Sequence, residues 1–194
     1  LVIPTFNRYR KLARSLDFYH HCKEFSNQDI VVLDGSNDGN QGYTSELCGA
    51  LGIDYHYRAN STFHTRMLDY LKSLDSDEII ALSPDEDVLL PEFVFLAERF
   101  LRENQDYSAI VGRYATLQKP LGPFHRVSYS VDTIVNYDIH DEDFLVRSSK
   151  WISCLIAGCP PLFWGVRTAG HYIESCELQI ECVKGASQEL IDQA

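Results

Sequence analysis

Three carboxylates stand in a row at Asp85-Glu86-Asp87. Such a run repels itself unless a cation sits beside it. Hard ions such as Mn²⁺ and Mg²⁺ choose oxygen ligands and keep positions open for water or substrate phosphates. A spacing of two puts Asp85 and Asp87 on one side of an extended loop, so one can bind a metal directly and the other through water or a sugar. Glu86 then points away, or reaches a ribose or a basic neighbour. An acidic triplet equally suits a solvated turn. Its place after the strand expected at 78–82 and before Pro91, a residue suited to the first turn of a helix, favours the metal.

Asp34 is the second candidate. It closes the β-branched and apolar run Ile30–Leu33 and opens the turn Asp34-Gly35-Ser36-Asn37-Asp38-Gly39. Its carboxylate can accept from a uracil-type imide or a ribose hydroxyl. The same residues suit an Asx turn, and both readings stay open. Arg8 and Arg66 are sources of positive charge for a diphosphate, or ordinary surface arginines. The seven histidines form no metal motif. His20 and His21 are adjacent on a helix and point apart.

The elements that must place these residues alternate. Leu1–Ile3 reads as a strand stopped by Pro4, and Asn7 as the cap of a helix with Tyr9, Leu12, Leu16 and Tyr19 on its buried stripe. Strands follow at 30–33, 53–57 and 78–82, and helices at 44–50 and 62–74. A helix from Pro91 carries Phe93, Leu96, Phe100 and Leu101 on its apolar side. Strands separated by helices imply a parallel sheet with right-handed crossovers. Ligands of such sheets collect beyond the carboxyl ends of the strands, where Pro4-Thr5, Asp34-Gly35 and the acidic triplet all fall. The second half is less regular: a strand at 109–114, a hairpin or flap within 115–140, a helix at 141–154 and a strand at 162–166.

Composition narrows the partners. A net charge of −11 argues against a phosphate-tracking nucleic-acid surface, which needs lysine and arginine to displace counterions. The longest apolar stretch, 155–166, is broken by Pro160 and Pro161 and is too short for a membrane span. The six cysteines form no C-x-x-C pair, and free thiols in a reducing cytoplasm are expected. Residue 1 is Leu and already reads as strand, so the chain is expected to be one domain, 1–194, cut from a longer protein.

Val2-Ile3-Pro4-Thr5-Phe6-Asn7-Arg8, Val31-Val32-Leu33-Asp34-Gly35-Ser36-Asn37-Asp38 and Ser83-Pro84-Asp85-Glu86-Asp87 together resemble the signatures of family 2-type glycosyltransferases. One Asp precedes Gly35 where many members have two. The triplet is similar to that of a bacterial subgroup, and Phe163-Trp164-Gly165-Val166-Arg167-Thr168 resembles a later strand of it. The resemblance implies the GT-A nucleotide-diphospho-sugar transferase fold, an α/β architecture with a mostly parallel central sheet flanked by helices. It implies a nucleotide-binding half, 1–104, and an acceptor-side half, 105–194, whose later elements can lie beyond the chain. It implies a nucleotide-sugar donor, a glycan, lipid-linked or protein acceptor, and Mn²⁺ or Mg²⁺. By carry-over, Pro4, Thr5, Arg8 and Asp34 touch the nucleoside, and Asp85 and Asp87 handle the metal and the diphosphate; Gly35, Arg66, Asp85 and Glu86 are counted among the donor-binding residues as well. An inverting member also needs a carboxylate as general base. Glu189 is the first choice by position, with Glu174 and Glu177 as alternatives.

Three other functions compete. A nucleotidyltransferase would carry a glycine-rich loop after the first strand, where this chain has Pro-Thr-Phe-Asn-Arg. A Mg²⁺-dependent phosphotransfer protein would want an acidic residue there. A non-catalytic nucleotide- or sugar-binding module is compatible with the same motifs.

Overall fold

The computed structural model describes residues 1–22, 25, 29–112, 115–118, 128–131, 139–156 and 164–192. The elements run β1 (Val2–Thr5), α1 (Tyr9–His21), β2 (Val31–Asp34), α2 (Gln41–Leu51), β3 (Asp54–Tyr57), α3 (Phe63–Leu71), β4 (Ile79–Ala81), α4 (Pro91–Glu103), β5 (Ala109–Ile110), β6 (Ala115–Gln118), β7 (Ser128–Val131), α5 (Phe144–Ile156), β8 (Val166–Thr168) and α6 (Ala169–Asp192).

β1 and β2 are buried along their whole length, as parallel strands covered on both faces are. Successive side chains alternate between two cores. Ile3 and Val32 join Leu12, Leu16 and Tyr19 of α1, Cys48 of α2, and Val94, Ala97 and Leu101 of α4. Val2, Val31 and Leu33 join Met67 and Leu71 of α3 and Tyr172 and Cys176 of α6. Helices therefore cover both faces of a mixed α/β fold.

The sheet is less parallel than the alternation of elements implies. β1, β2 and β3 form a three-stranded parallel sheet. β4 instead pairs antiparallel with β8, which also pairs antiparallel with β5. Among the described residues a single parallel bridge, Val2 to Leu82, joins the two sheets. Pro4 explains this. The carbonyls of Leu1 and Thr5 accept from the β2 side, whereas that of Val2 accepts from Ser83 on the β4 side. Pro4, two residues on from Val2, also faces β4 and has no N–H to donate, so that ladder stops. Pro4 thus does not end β1 but lies within it.

Several boundaries also move. The N-cap of α1 is Arg8, without a side-chain bond, rather than Asn7. α4 buries Val94, Ala97 and Leu101, because the small Ala97 lets the helix approach the sheet, while Phe93, Leu96 and Phe100 line an open groove against β5. The strand expected at 162–166 is β8, beginning at Val166, and residues 162–163 lie outside the described residues. The strand expected at 109–114 ends at Ile110, with 113–114 also outside. Within 115–140, where a hairpin or a flap is expected, β6 and β7 pair antiparallel, and residues 119–127 lie outside the described residues. Asp143 accepts from the backbone N–H groups of Leu145 and Val146 at 2.7 and 3.1 Å, so it caps α5. Among the described residues no helix is long and apolar enough to cross a membrane, and Cys22, Cys48, Cys176 and Cys182 are free thiols.

Candidate nucleotide and metal site

The strand ends meet at Thr5. Register places Thr5 beside Asp34, and the Gly35 N–H donates to the Thr5 carbonyl at 3.1 Å. On its other side the Thr5 hydroxyl donates to Asp85 Oδ2 at 2.7 Å. The turn after β2 and the acidic loop after β4 therefore share one edge, one residue apart.

Asp34 is fully buried. Its Oδ1 accepts from the Ser36 N–H at 2.8 Å, which is the Asx turn, and its Oδ2 accepts from the Tyr55 hydroxyl at 2.8 Å. Burial and then the bond to Asp34 push the Tyr55 hydroxyl pKa up, which keeps it a donor. The turn is tied from several directions. Asn7, at φ 55°, a region Asn tolerates, donates its N–H to the Ser36 hydroxyl at 2.8 Å and exchanges two 2.9 Å bonds with Asn37. Tyr57 and Gln41 both donate to the Ser36 carbonyl, at 3.1 and 3.0 Å.

Arg66 is not a surface arginine. It is 6% exposed, donating to the Ser61 carbonyl at 2.6 Å and to the Thr5 carbonyl at 3.4 Å. Its Nε has no partner among the described residues. Burial lowers its pKa against the opposing pull of Asp34. The guanidinium fills the space a side chain at Gly35 would take, so the two residues are complementary in shape. Gly35→Ala is expected to cost about 1–3 kcal/mol by overpacking. The double variant Gly35→Ala/Arg66→Ala should cost less than the sum of the two single changes, by roughly 0.5 kcal/mol or more. Denaturant melts of the four proteins check this.

In the acidic loop the three carboxylates have different surroundings. Glu86 pairs with Lys11 and, at 3.3 Å, with Arg8. The bond to Lys11 is the largest influence holding it below the usual carboxylate range. These cations lie at the start of α1, whose own first turn carries no acidic residue. Asp85 is buried, and that burial raises its pKa despite the Thr5 hydroxyl and Arg8, whose Nη1 is 3.5 Å from Oδ1. Asp87 is exposed as a residue, yet loss of water around its carboxylate, then repulsion from Glu86 and Asp85, raises its pKa too. No ion pair to it forms among the described residues. The loop thus has one carboxylate neutralised by lysine and arginine and two held above their ordinary pKa.

Of the base candidates, Glu174 and Glu177 have described side chains. Glu177 pairs with Lys72 at 2.8 Å, at the C-cap of α3, the end away from Arg66. Glu174 is exposed on α6. Glu189 falls on α6 where side chains are outside the described residues. His56 bonds Asp54 on the surface, and His171 bonds Thr168 at the start of α6. His125 lies outside the described residues. Among the described residues no three His, Cys, Asp or Glu side chains gather as a ligand set.

Sequence reasoning missed Ser15, Tyr55 and Tyr57. The alternation Asp54-Tyr55-His56-Tyr57 carried a signal for the tyrosines, since residues two apart on a strand share a face. Ser15, a polar residue inside an apolar stripe, carried none.

No family model matches the chain, and no curated protein matches it. Among solved structures it is similar to the crystal structure of S. aureus TarS, with 17% identity and a TM-score of 0.38 over 64% of this chain. The chain spans 22% of the length of that one.

Proposed function

We propose that this chain is the donor-binding part of a glycosyltransferase, which takes a nucleotide-diphosphate sugar with Mn²⁺ or Mg²⁺ at the edge where Thr5 links Asp34 to Asp85. The observation that carries the reading is the Thr5–Asp85 hydrogen bond beside the Thr5–Asp34 register. It brings the turn suited to a nucleoside and the loop suited to a cation to adjoining positions.

The residues divide the work by their surroundings. Pro4 and Thr5 supply the floor between the two loops. Asp34, its oxygens engaged, holds Ser36 and Tyr55 as the wall of the nucleoside pocket, and Gly35 lets Arg66 approach beneath. Arg8, beside Asp85 and Glu86, is placed to turn towards a diphosphate once a cation takes over the carboxylates. Asp85 and Asp87 would hold that cation with two protein ligands and leave the rest to water and phosphate, the habit of Mg²⁺ and Mn²⁺. A bound cation would supply charge stabilisation for the departing nucleoside diphosphate. Glu189 is assigned as general base by its place in the chain alone.

One observation favours a non-catalytic binding module instead: Glu177, one of the alternatives for the base, is paired with Lys72 at 2.8 Å. Incubation of nucleotide sugars with the protein and Mn²⁺ separates the readings, since slow donor hydrolysis is expected of the enzyme and none of the module. A thermal screen of nucleotide sugars tests what both share. A ligand at a hundredfold excess over Kd stabilises by about 2.7 kcal/mol, several degrees for a chain of this size. Stabilisation by one nucleotide sugar, present with Mn²⁺ and absent in chelator, supports the site. A flat screen with Mn²⁺ counts against it.

A further inference from the structure

The buried stripe of α1 is Leu12, Ser15, Leu16 and Tyr19. Three of these fill the core. Ser15 is 5% exposed, and hydrophobic packing does not explain a hydroxyl there. A serine within a helix usually bonds the carbonyl four residues back. Here that carbonyl, of Lys11, is 3.4 Å away, while the Asp85 carbonyl is 2.9 Å away and that of Asp87 is 3.4 Å. The hydroxyl has turned from its own helix to the acidic loop. One turn further on, the Tyr19 hydroxyl accepts from the Leu89 N–H at 2.8 Å. Within the loop, the Asp87 N–H donates to the Pro84 carbonyl at 3.2 Å. α1 thus holds the loop's backbone at Asp85 and again at Leu89, through groups separate from the carboxylates.

We propose that Ser15 is a positioning residue for the metal site: its hydroxyl fixes the backbone of Asp85 and Asp87 so that their carboxylates meet one cation. The proposal rests on the metal reading above. Without the hydroxyl, the Asp85 carbonyl loses its anchor and the two carboxylates keep their charge but not their spacing.

The test is Mn²⁺ itself, titrated into the full chain and followed by the electron paramagnetic resonance of free Mn²⁺. Ser15→Ala is expected to weaken Mn²⁺ binding about five- to tenfold, the worth of one hydrogen bond to a buried carbonyl. Ile53→Val, which trims the core at the start of β3, two strands from β1, is expected to melt earlier but to keep wild-type Mn²⁺ affinity. Should Ser15→Ala fail to fold, Ser15→Cys, similar in shape and a weak donor, should show the same loss. Equal Mn²⁺ affinity in wild type and the Ser15 variant would overturn the positioning role alone. A loss shared equally by Ile53→Val would overturn it as well, in favour of general loosening. No Mn²⁺ binding by the wild type would overturn the metal reading and this inference together.

Discussion

Asp87→Ala is expected to abolish the Mn²⁺ dependence of nucleotide binding while leaving the fold standing. Asp87 has no ion pair among the described residues, and its carboxylate is held above its ordinary pKa by burial and by repulsion from Glu86 and Asp85. A carboxylate whose folded pKa exceeds its unfolded one binds more protons folded than unfolded between those values. Stability therefore falls as pH rises through that window. Removing Asp87 removes its share of that fall, so at pH 7 the metal-free variant should be no less stable than wild type, within about 0.5 kcal/mol. The loss appears only with the cation. Nucleotide affinity in Mn²⁺ should drop to its value in chelator, a change on the order of a hundredfold, or roughly 2.7 kcal/mol. Paired titrations in Mn²⁺ and in chelator measure it. Wild-type affinity in the variant would remove Asp87 from the metal site.

Asp34→Ala should behave in the opposite way, because its carboxylate is fully buried and both oxygens are engaged. Its loss leaves the Ser36 N–H without its acceptor and the Tyr55 hydroxyl with the distant Gln41 carbonyl at 3.5 Å in place of a 2.8 Å bond. At about 1–3 kcal/mol for each stranded buried group, the cost is roughly 2–4 kcal/mol of folding stability, after some relaxation. The turn at 35–40 then loses its central tie, and nucleotide binding should weaken with or without metal. Mn²⁺ binding to the loop should persist, since Thr5 and Ser15 still hold Asp85. Chemical denaturation and Mn²⁺ titration of the same sample report both halves. A variant as stable as wild type would show that the two bonds to Asp34 contribute little.

The meeting of Asp34 and Asp85 was legible in the sequence for a geometric reason. Apolar runs separated by helices put their carboxyl ends on one edge, and the turn residues mark where each run stops. The two buried strands and the stripe of α1 were legible from the same periodicity. What lay beyond reach depended on partners distant in sequence. Nothing local tells that Pro4 faces β4 and cuts that ladder to one bridge, or that β8 enters antiparallel beside β4. Arg66 reads as a surface cation until the missing side chain of Gly35 is seen to make room for it. The large apolar residues of α4 outweighed Ala97 in the pattern, although the smaller residue lets the helix approach the core. Glu177 stood as an alternative to Glu189 for the base, and nothing local to it foretells Lys72 across from it.

Calorimetric titration of UDP and of GDP, each in Mn²⁺ and in chelator, bears most directly on whether the Thr5 edge holds a nucleoside diphosphate through a cation. One nucleotide should bind at a single saturable site in Mn²⁺ and lose that binding in chelator. Binding of equal strength in both buffers, or of neither nucleotide in Mn²⁺, would contradict it.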